Sequence, residues 1–242
     1  MSHSVLINAH DAGTFSAYVA VPPKGVGPGL VLLQYIFGVN KVMRDLADHY
    51  ASLGYFVVVP DLFWRQEADV RLADDPATAT PEEVSKAMAL NDAFNDDKAL
   101  SDLSATYDFV KSHPGCNGKV GVLGFCLGGR LSYRMAAHVP VDCAVAYYGV
   151  HLERHLDEAA RIATPILMHM AGSDFLVPEP LRQQIVQALS PNPNVRIETY
   201  EGVNHAFALK GGANYNAAAA DLANARSEQF LRQHLIGDRA DV

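Results

Sequence analysis

The stretch that decides the reading is Gly121-Val122-Leu123-Gly124-Phe125-Cys126-Leu127-Gly128-Gly129. Before it runs an apolar, β-branched segment, Val120 to Leu123, which reads as a strand. After it comes Leu131-Ser132-Tyr133-Arg134-Met135-Ala136-Ala137, which reads as a helix. Cys126 therefore falls at a sharp strand-to-helix turn between Gly124 and Gly128. This is the spacing of a nucleophile elbow, with Cys where Ser is usual. Such a turn strains the dihedrals of the nucleophile and demands small neighbours two positions away, which glycine supplies. The N–H groups that open the helix would face any negative charge developing on a substrate. The rival reading is a buried cysteine beside two packing glycines. The match of strand, Gly, Cys, Gly and helix in one stretch favours the elbow.

Outward from the elbow, strand and helix alternate along the chain. Residues 4–8 and 14–21, around the turn signal His10-Asp11-Ala12-Gly13, read as an N-terminal hairpin. Leu30-Val31-Leu32-Leu33 and Phe56-Val57-Val58-Val59 are continuous apolar runs, the mark of strands covered on both faces. Val42, Leu46, Tyr50 and Leu53 recur at helical spacing up to Gly54. From Leu62 to Ala79 the chain is irregular, long enough to suggest the flank of a functional site. Thr80-Pro81-Glu82-Glu83 opens a helix, and Leu100, Leu103, Tyr107 and Val110 form the core-facing stripe of a long one. Strands are expected at Cys143–Tyr148, at Ile166–Met170 after a further helix, and at Val195–Tyr200, the last with the alternation of an edge. Helices are expected around Leu181–Leu189 and Asn214–Leu235. The expectation is a single α/β domain over residues 1–242, with a mostly parallel central sheet and helices on both faces.

Bulk properties exclude several classes. The 242 residues are 49% hydrophobic and 19% charged, ordinary for a globular chain. A formal net charge of −8 argues against nucleic acid or an anionic membrane surface as partner. Cys116, Cys126 and Cys143 are too few and too scattered for a disulfide framework or a zinc ribbon. The N-terminus carries no basic-then-apolar signal pattern, and no apolar run reaches membrane-spanning length. A reducing cytoplasm, which would keep Cys126 a free thiol, fits best. No phosphate-binding glycine motif is present, so no nucleotide cofactor is expected, and no other cofactor is implied. His151 and His155 stand at i and i+4, a metal pair if helical, but no third ligand accompanies them, so no metal is expected.

A nucleophile on an elbow needs a base, and the base an orienting acid. Ala171-Gly172-Ser173-Asp174 follows the Ile166–Met170 strand, and Gly202-Val203-Asn204-His205-Ala206-Phe207 follows the Val195–Tyr200 strand. Asp174 alone could be a loop cap, and His205 alone a surface residue. The chain order Cys126, Asp174, His205 is nonetheless that of nucleophile, acid and histidine in the α/β-hydrolase fold.

Together, Gln34-Tyr35-Ile36-Phe37-Gly38-Val39-Asn40, Gly124-Phe125-Cys126-Leu127-Gly128-Gly129, Tyr147-Tyr148-Gly149-Val150, Asp174 with Val177-Pro178, and His205-Ala206-Phe207 resemble the dienelactone hydrolase family. The likeness runs from about Leu30 to Leu231, and the Cys elbow is its most specific sign. It implies Cys126 as nucleophile, His205 as base, Asp174 as its orienting acid, and an oxyanion hole from the backbone N–H groups of Ile36 and Leu127. The implied activity is cofactor-independent hydrolysis of a small ester or lactone through a covalent acyl-enzyme.

The chain also departs from that family. Enzymes acting on dienelactone itself carry a Glu where this chain has Tyr35. They also hold the substrate carboxylate with two arginines. One lies just after the catalytic His, where this chain reads Ala208-Leu209-Lys210; the other falls in the helix around Glu82 to Ala87, where Lys86 is the only cation. Losing these charge-assisted bonds would forfeit about 1.5–3 kcal/mol each for an anionic substrate. Neutral esters, lactones or phosphotriesters are therefore the expected substrates, with Tyr35, Phe37, Trp64, Phe175 and Phe207 as candidate pocket residues. A non-catalytic binding protein on the same fold is the rival class, disfavoured by the complete set of Cys126, Asp174 and His205.

Overall fold

The protein is described by a computed structural model over residues 2–237. Its eight strands, β1 (Ser2–Asn8), β2 (Thr14–Ala20), β3 (Gly27–Leu33), β4 (Phe56–Pro60), β5 (Cys116–Phe125), β6 (Cys143–Tyr147), β7 (Ile166–Ala171) and β8 (Val195–Tyr200), take the sheet order β1-β2-β4-β3-β5-β6-β7-β8. The helices are α1 (Lys41–Ser52), α2 (Pro81–Asp92), α3 (Asp96–Ser112), α4 (Leu127–His138), α5 (Glu179–Leu189) and α6 (Ala217–Leu235). This is the expected α/β architecture with a mostly parallel sheet. Packing contacts group the chain into two compact units that divide between Val122 and Leu123, inside β5.

In the first unit, β1 and β2 form the expected antiparallel hairpin, and β2 continues antiparallel onto β4. β3 lies parallel to β4, with Leu30 opposite Val57. Every residue of β3 and β4 is buried, which is why both read as unbroken apolar runs. The Asn40 side chain caps α1 by accepting from Met43 N–H, and Gly54 turns the chain out of that helix at φ +103°. Past β4, the buried Asp61 carboxylate accepts Phe63 and Asp69 N–H and so shapes the long connection. Thr80 and Glu83 form a reciprocal capping box on α2. Beyond it, the long helix expected from the stripe Leu100, Leu103, Tyr107 and Val110 is α3. The Asn95 side chain accepts both Asp97 and Lys98 N–H and starts α3 afresh, a local bond that competes with helix continuation.

In the second unit, β6, β7 and β8 are parallel, with Tyr147 opposite His169 and Ala171 opposite Tyr200. β6 and β7 are buried throughout, whereas β8 is partly exposed, as its alternation predicts. The helix expected before β7 is a 3₁₀ segment, Leu152–Arg161, interrupted at His155. His151 precedes it in the left-handed region at φ +58°, so His151 and His155 do not share an α-helical face. Among the described residues no cluster of three or more metal-ligating side chains forms, and no helix is long and apolar enough to cross a membrane. None of the three cysteines is in a disulfide.

Candidate active site

β5 ends at Phe125, and Cys126 is the N-cap of α4 at φ +56°, ψ −110°. That is far from any basin comfortable for a residue with a side chain, a conformation worth about 1–3 kcal/mol of strain. The surroundings enforce it. Cys126 N–H donates to Tyr147 O at 3.0 Å, and Arg130 N–H donates back to Cys126 O at 3.1 Å. A Cβ on Gly124 would lie 2.2 Å from Gly128 O, so the elbow closes only with glycine there. Gly129 is equally constrained: its Cβ would lie 2.4 Å from Tyr147 O and 3.1 Å from Gly149 Cα. This second glycine contact sets α4 against the end of β6. The motif spacing alone does not show it, because the partner, Gly149, is twenty residues away.

Asp174 stands on the loop that follows β7, and His205 on the loop that follows β8. His205 Nδ1 donates to Asp174 Oδ2 at 2.9 Å. The other carboxylate oxygen accepts Leu176 N–H at 2.8 Å and Val177 N–H at 3.3 Å. Asp174 is thus both a loop cap and the partner of the histidine, so its two sequence readings are compatible. With Nδ1 committed to Asp174, the remaining ring nitrogen is left for the Cys126 sulfur, one of the groups that raise His205. Burial disfavours a charged imidazole here, but the Cys126 sulfur and the Asp174 carboxylate outweigh it, and His205 is pushed up to about 10. Cys126, Asp174 and His205 are 8%, 4% and 6% exposed. The structure therefore brings together the three residues that the elbow and the two strand ends select.

Tyr148 packs edge-on against the His205 ring at 5.0 Å between centroids, itself backed by Phe207 at 5.5 Å. Phe207, a candidate pocket residue, is fully buried between Tyr148 and Tyr200. Phe175 is 63% exposed, with its ring 6.1 Å from that of His205. The first unit holds the other candidates. Tyr35 is buried and accepts a hydrogen bond from Asn40 Nδ2 at 2.8 Å; burial pushes its phenol up to about 12. Ile36 and Phe37 are half-buried. Trp64 stacks on Phe15 and donates through Nε1 to Asp102, which also pairs with Arg65. Lys86 pairs with Glu67 at 2.6 Å.

A thiol on an elbow, an imidazole within its reach and a carboxylate behind the imidazole can carry out nucleophilic acyl transfer. The sequence matches the dienelactone hydrolase family over residues 15–235. The chain belongs to the dienelactone hydrolase family. A relative from Azospirillum brasilense is 45% identical, over 96% of this chain and 98% of its own. The carboxymethylenebutenolidase of Pseudomonas putida is 39% identical, over 96% of each chain. A solved structure from Klebsiella pneumoniae subsp. pneumoniae superposes with a TM-score of 0.80 at 26% identity, covering 96% of this chain and 99% of the other. As a member of the dienelactone hydrolase family, the chain is a hydrolase on the α/β-hydrolase fold.

Proposed function

We propose that this enzyme hydrolyses neutral carboxylic esters or lactones through Cys126, with His205 as general base and acid and Asp174 as its orienting carboxylate. The observation that supports this most is the His205 imidazole held between the Asp174 carboxylate and the Cys126 sulfur. His205, pushed up to about 10 by the Cys126 sulfur and the Asp174 carboxylate against the pull of burial, is a base strong enough to take the thiol proton as the reaction begins. The thiolate attacks the substrate carbonyl, a C–S bond forms, and the carbonyl electrons move to oxygen. The N–H of Leu127, in the first turn of α4, is one donor to that oxyanion; the N–H of Ile36 is the second that the family resemblance implies. As the C–O bond breaks, the imidazolium gives its proton to the leaving alkoxide, leaving a thioester on Cys126. Water, losing its proton to His205, then attacks the thioester. The acid departs and the thiol is restored. With a lactone, the leaving alcohol stays part of the acyl chain throughout, and the second step releases a single hydroxy acid.

Two observations support a neutral substrate. Lys86, the only cation in the Glu82 to Ala87 stretch where one carboxylate-binding arginine would stand, is already paired with Glu67. Tyr35, with its phenol pushed up to about 12, brings no negative charge of its own at neutral pH. The competing reading is a carboxylated lactone, the class that the name of the P. putida relative implies. A panel of aryl esters, enol-lactones and phosphotriesters, each ester in a neutral and a carboxylated form, decides between them when run on wild type and Cys126→Ala. The expected result is higher kcat/KM on the neutral member of each pair, a trapped acyl group on Cys126 by mass spectrometry, and no turnover by Cys126→Ala. Preference for the carboxylated member overturns the substrate class. Near-wild-type turnover by Cys126→Ala overturns the mechanism.

A further inference from the structure

The acid and the base sit on different loops, and their 2.9 Å separation has to be set by something that ties those loops together. Three hydrogen bonds do so. Gly172 N–H donates to Tyr200 O at 2.7 Å, and Ser173 N–H donates to Val203 O at 2.9 Å. These two are backbone to backbone. The third continues the series past Asp174: Phe175 N–H donates to the side-chain oxygen of Asn204 at 3.1 Å. That same oxygen also accepts His205 N–H at 2.7 Å. One amide oxygen thus holds the N–H of the residue after the acid and the N–H of the base itself. Because both partners are donors, the oxygen of Asn204, not its NH2, must face them. The His205 carbonyl is held on its other side by Asn214 Nδ2 at 3.0 Å.

We propose that Asn204 is a positioning residue that sets the Asp174–His205 geometry and, through it, how well His205 takes up the Cys126 proton during turnover; the proposal rests on the hydrolase reading above. Asp174 is flanked by the rungs at Ser173 and Phe175, so the backbone that carries its carboxylate cannot shift without straining one of them. The Ser173 rung is indifferent to sequence, being backbone only. The Phe175 rung depends wholly on the side chain at 204. An alanine there leaves two N–H groups without their acceptor and frees the His205 loop from the Asp174 loop at the point nearest the proton-transfer axis. Asn204 touches neither the sulfur nor the substrate in this role; it acts through His205.

The test compares wild type, Asn204→Ala and Asn204→Asp on a neutral aryl ester. Thermal unfolding is measured alongside, and the pH dependence of Cys126 alkylation by iodoacetamide is followed by peptide mass spectrometry. Alanine should lower kcat by about tenfold or more, the usual consequence of a small misplacement of a catalytic group. KM should stay within about twofold, since the loss falls on the transition state. The alkylation midpoint should be higher in the alanine variant than in wild type, as a displaced His205 holds the thiol proton less well. Aspartate offers an oxygen to the same two N–H groups and should restore kcat to within about threefold, with the midpoint kept low. Should the alanine variant fail to fold, Asn204→Ser, too short to reach both donors, takes its place. A variant with a lower unfolding temperature but unchanged kcat and midpoint makes Asn204 merely structural and overturns the proposal, as does an aspartate variant no better than alanine. Turnover surviving Cys126→Ala would remove the Cys126 mechanism instead, while the alkylation midpoint, measured without substrate, still decides the role of Asn204.

Discussion

The second unit buries two histidines, and they take opposite charge states. His205 faces a carboxylate and a sulfur and is pushed up to about 10; His169, in the middle of β7, is 1% exposed and pushed down to about 3. Burial lowers both. What differs is the company. His169 meets only hydroxyls: Nδ1 lies 2.8 Å from Tyr200 Oη and Nε2 lies 2.8 Å from Ser227 Oγ. Ser227 Oγ is 2.7 Å from Tyr147 Oη, which donates to Asn224 Oδ1 at 2.9 Å. Since the Tyr147 proton goes to Asn224, Ser227 must donate to Tyr147, His169 Nε2–H to Ser227, and Tyr200 to His169 Nδ1. Every hydroxyl proton has one direction, and the chain closes only with a neutral imidazole. The cations near it, Arg226 and Arg196, push the same way. One histidine is built to hold and release a proton, the other to hold three elements together without ever gaining one.

The largest expected break in this contrast comes from Asp174→Asn. The amide oxygen can still accept Leu176 and Val177 N–H, so the loop should fold, but it cannot stabilise the imidazolium and favours the wrong tautomer. Turnover should fall by about 10³–10⁴-fold with an unfolding temperature close to wild type. A variant that unfolds instead would show that the cap role dominates. The next effect falls on the other histidine. His169→Phe takes one hydrogen-bond partner from each of the Tyr200 and Ser227 hydroxyls, which keep Arg226 and Tyr147, and should cost about 1–3 kcal/mol in all, with a lower denaturant midpoint. The folded variant should keep wild-type kcat, because His169 plays no part in acyl transfer. Lost turnover at full stability would tie the two histidines into one functional unit.

How much of this is legible in the sequence follows the range of each interaction. The elbow is legible because its requirements are local: Gly124, Cys126 and the start of α4 fall within a few residues. The strand ends that carry Asp174 and His205 are legible from apolar runs bounded by polar loops. Asn204 and Asn214 are not. Asparagine beside a glycine in a loop reads as turn chemistry, and nothing in the spacing shows that one oxygen serves two donors from different loops. The His169 network is hidden for a related reason. Its members come from β6, β7, β8 and α6, and each is an isolated polar residue in an apolar or helical stretch. The start of α3 is hidden too: its apolar stripe is clear, but the cap at Asn95 that begins it is a single polar residue among several.

The smallest effect sharpens the contrast through pH. A histidine whose folded value lies below its unfolded one is neutral when folded while the unfolded chain takes up a proton. The unfolded state then binds more protons between about 6.5 and the folded value, so stability rises with pH across that window and is lost on acidification. For His169 the window runs from about 6.5 down to about 3. His205 has the opposite sign: its contribution is fully present below the unfolded value and is lost as pH rises through about 10. Asp61, raised to about 6 by burial, also titrates on the acid side, but it is present in every variant and cancels in a comparison. The measurement is therefore a difference. Urea unfolding of wild type and His169→Phe at pH 7, 6 and 5 should show wild type ahead at pH 7 and its lead shrinking by at most about 1.4 kcal/mol per pH unit below 6.5. A lead that stays constant down to pH 5 would mean that His169 accepts a proton inside the folded chain. The hydroxyl network would then reorient to meet a charge, and the distinction between the two histidines would reduce to what stands beside them at neutral pH.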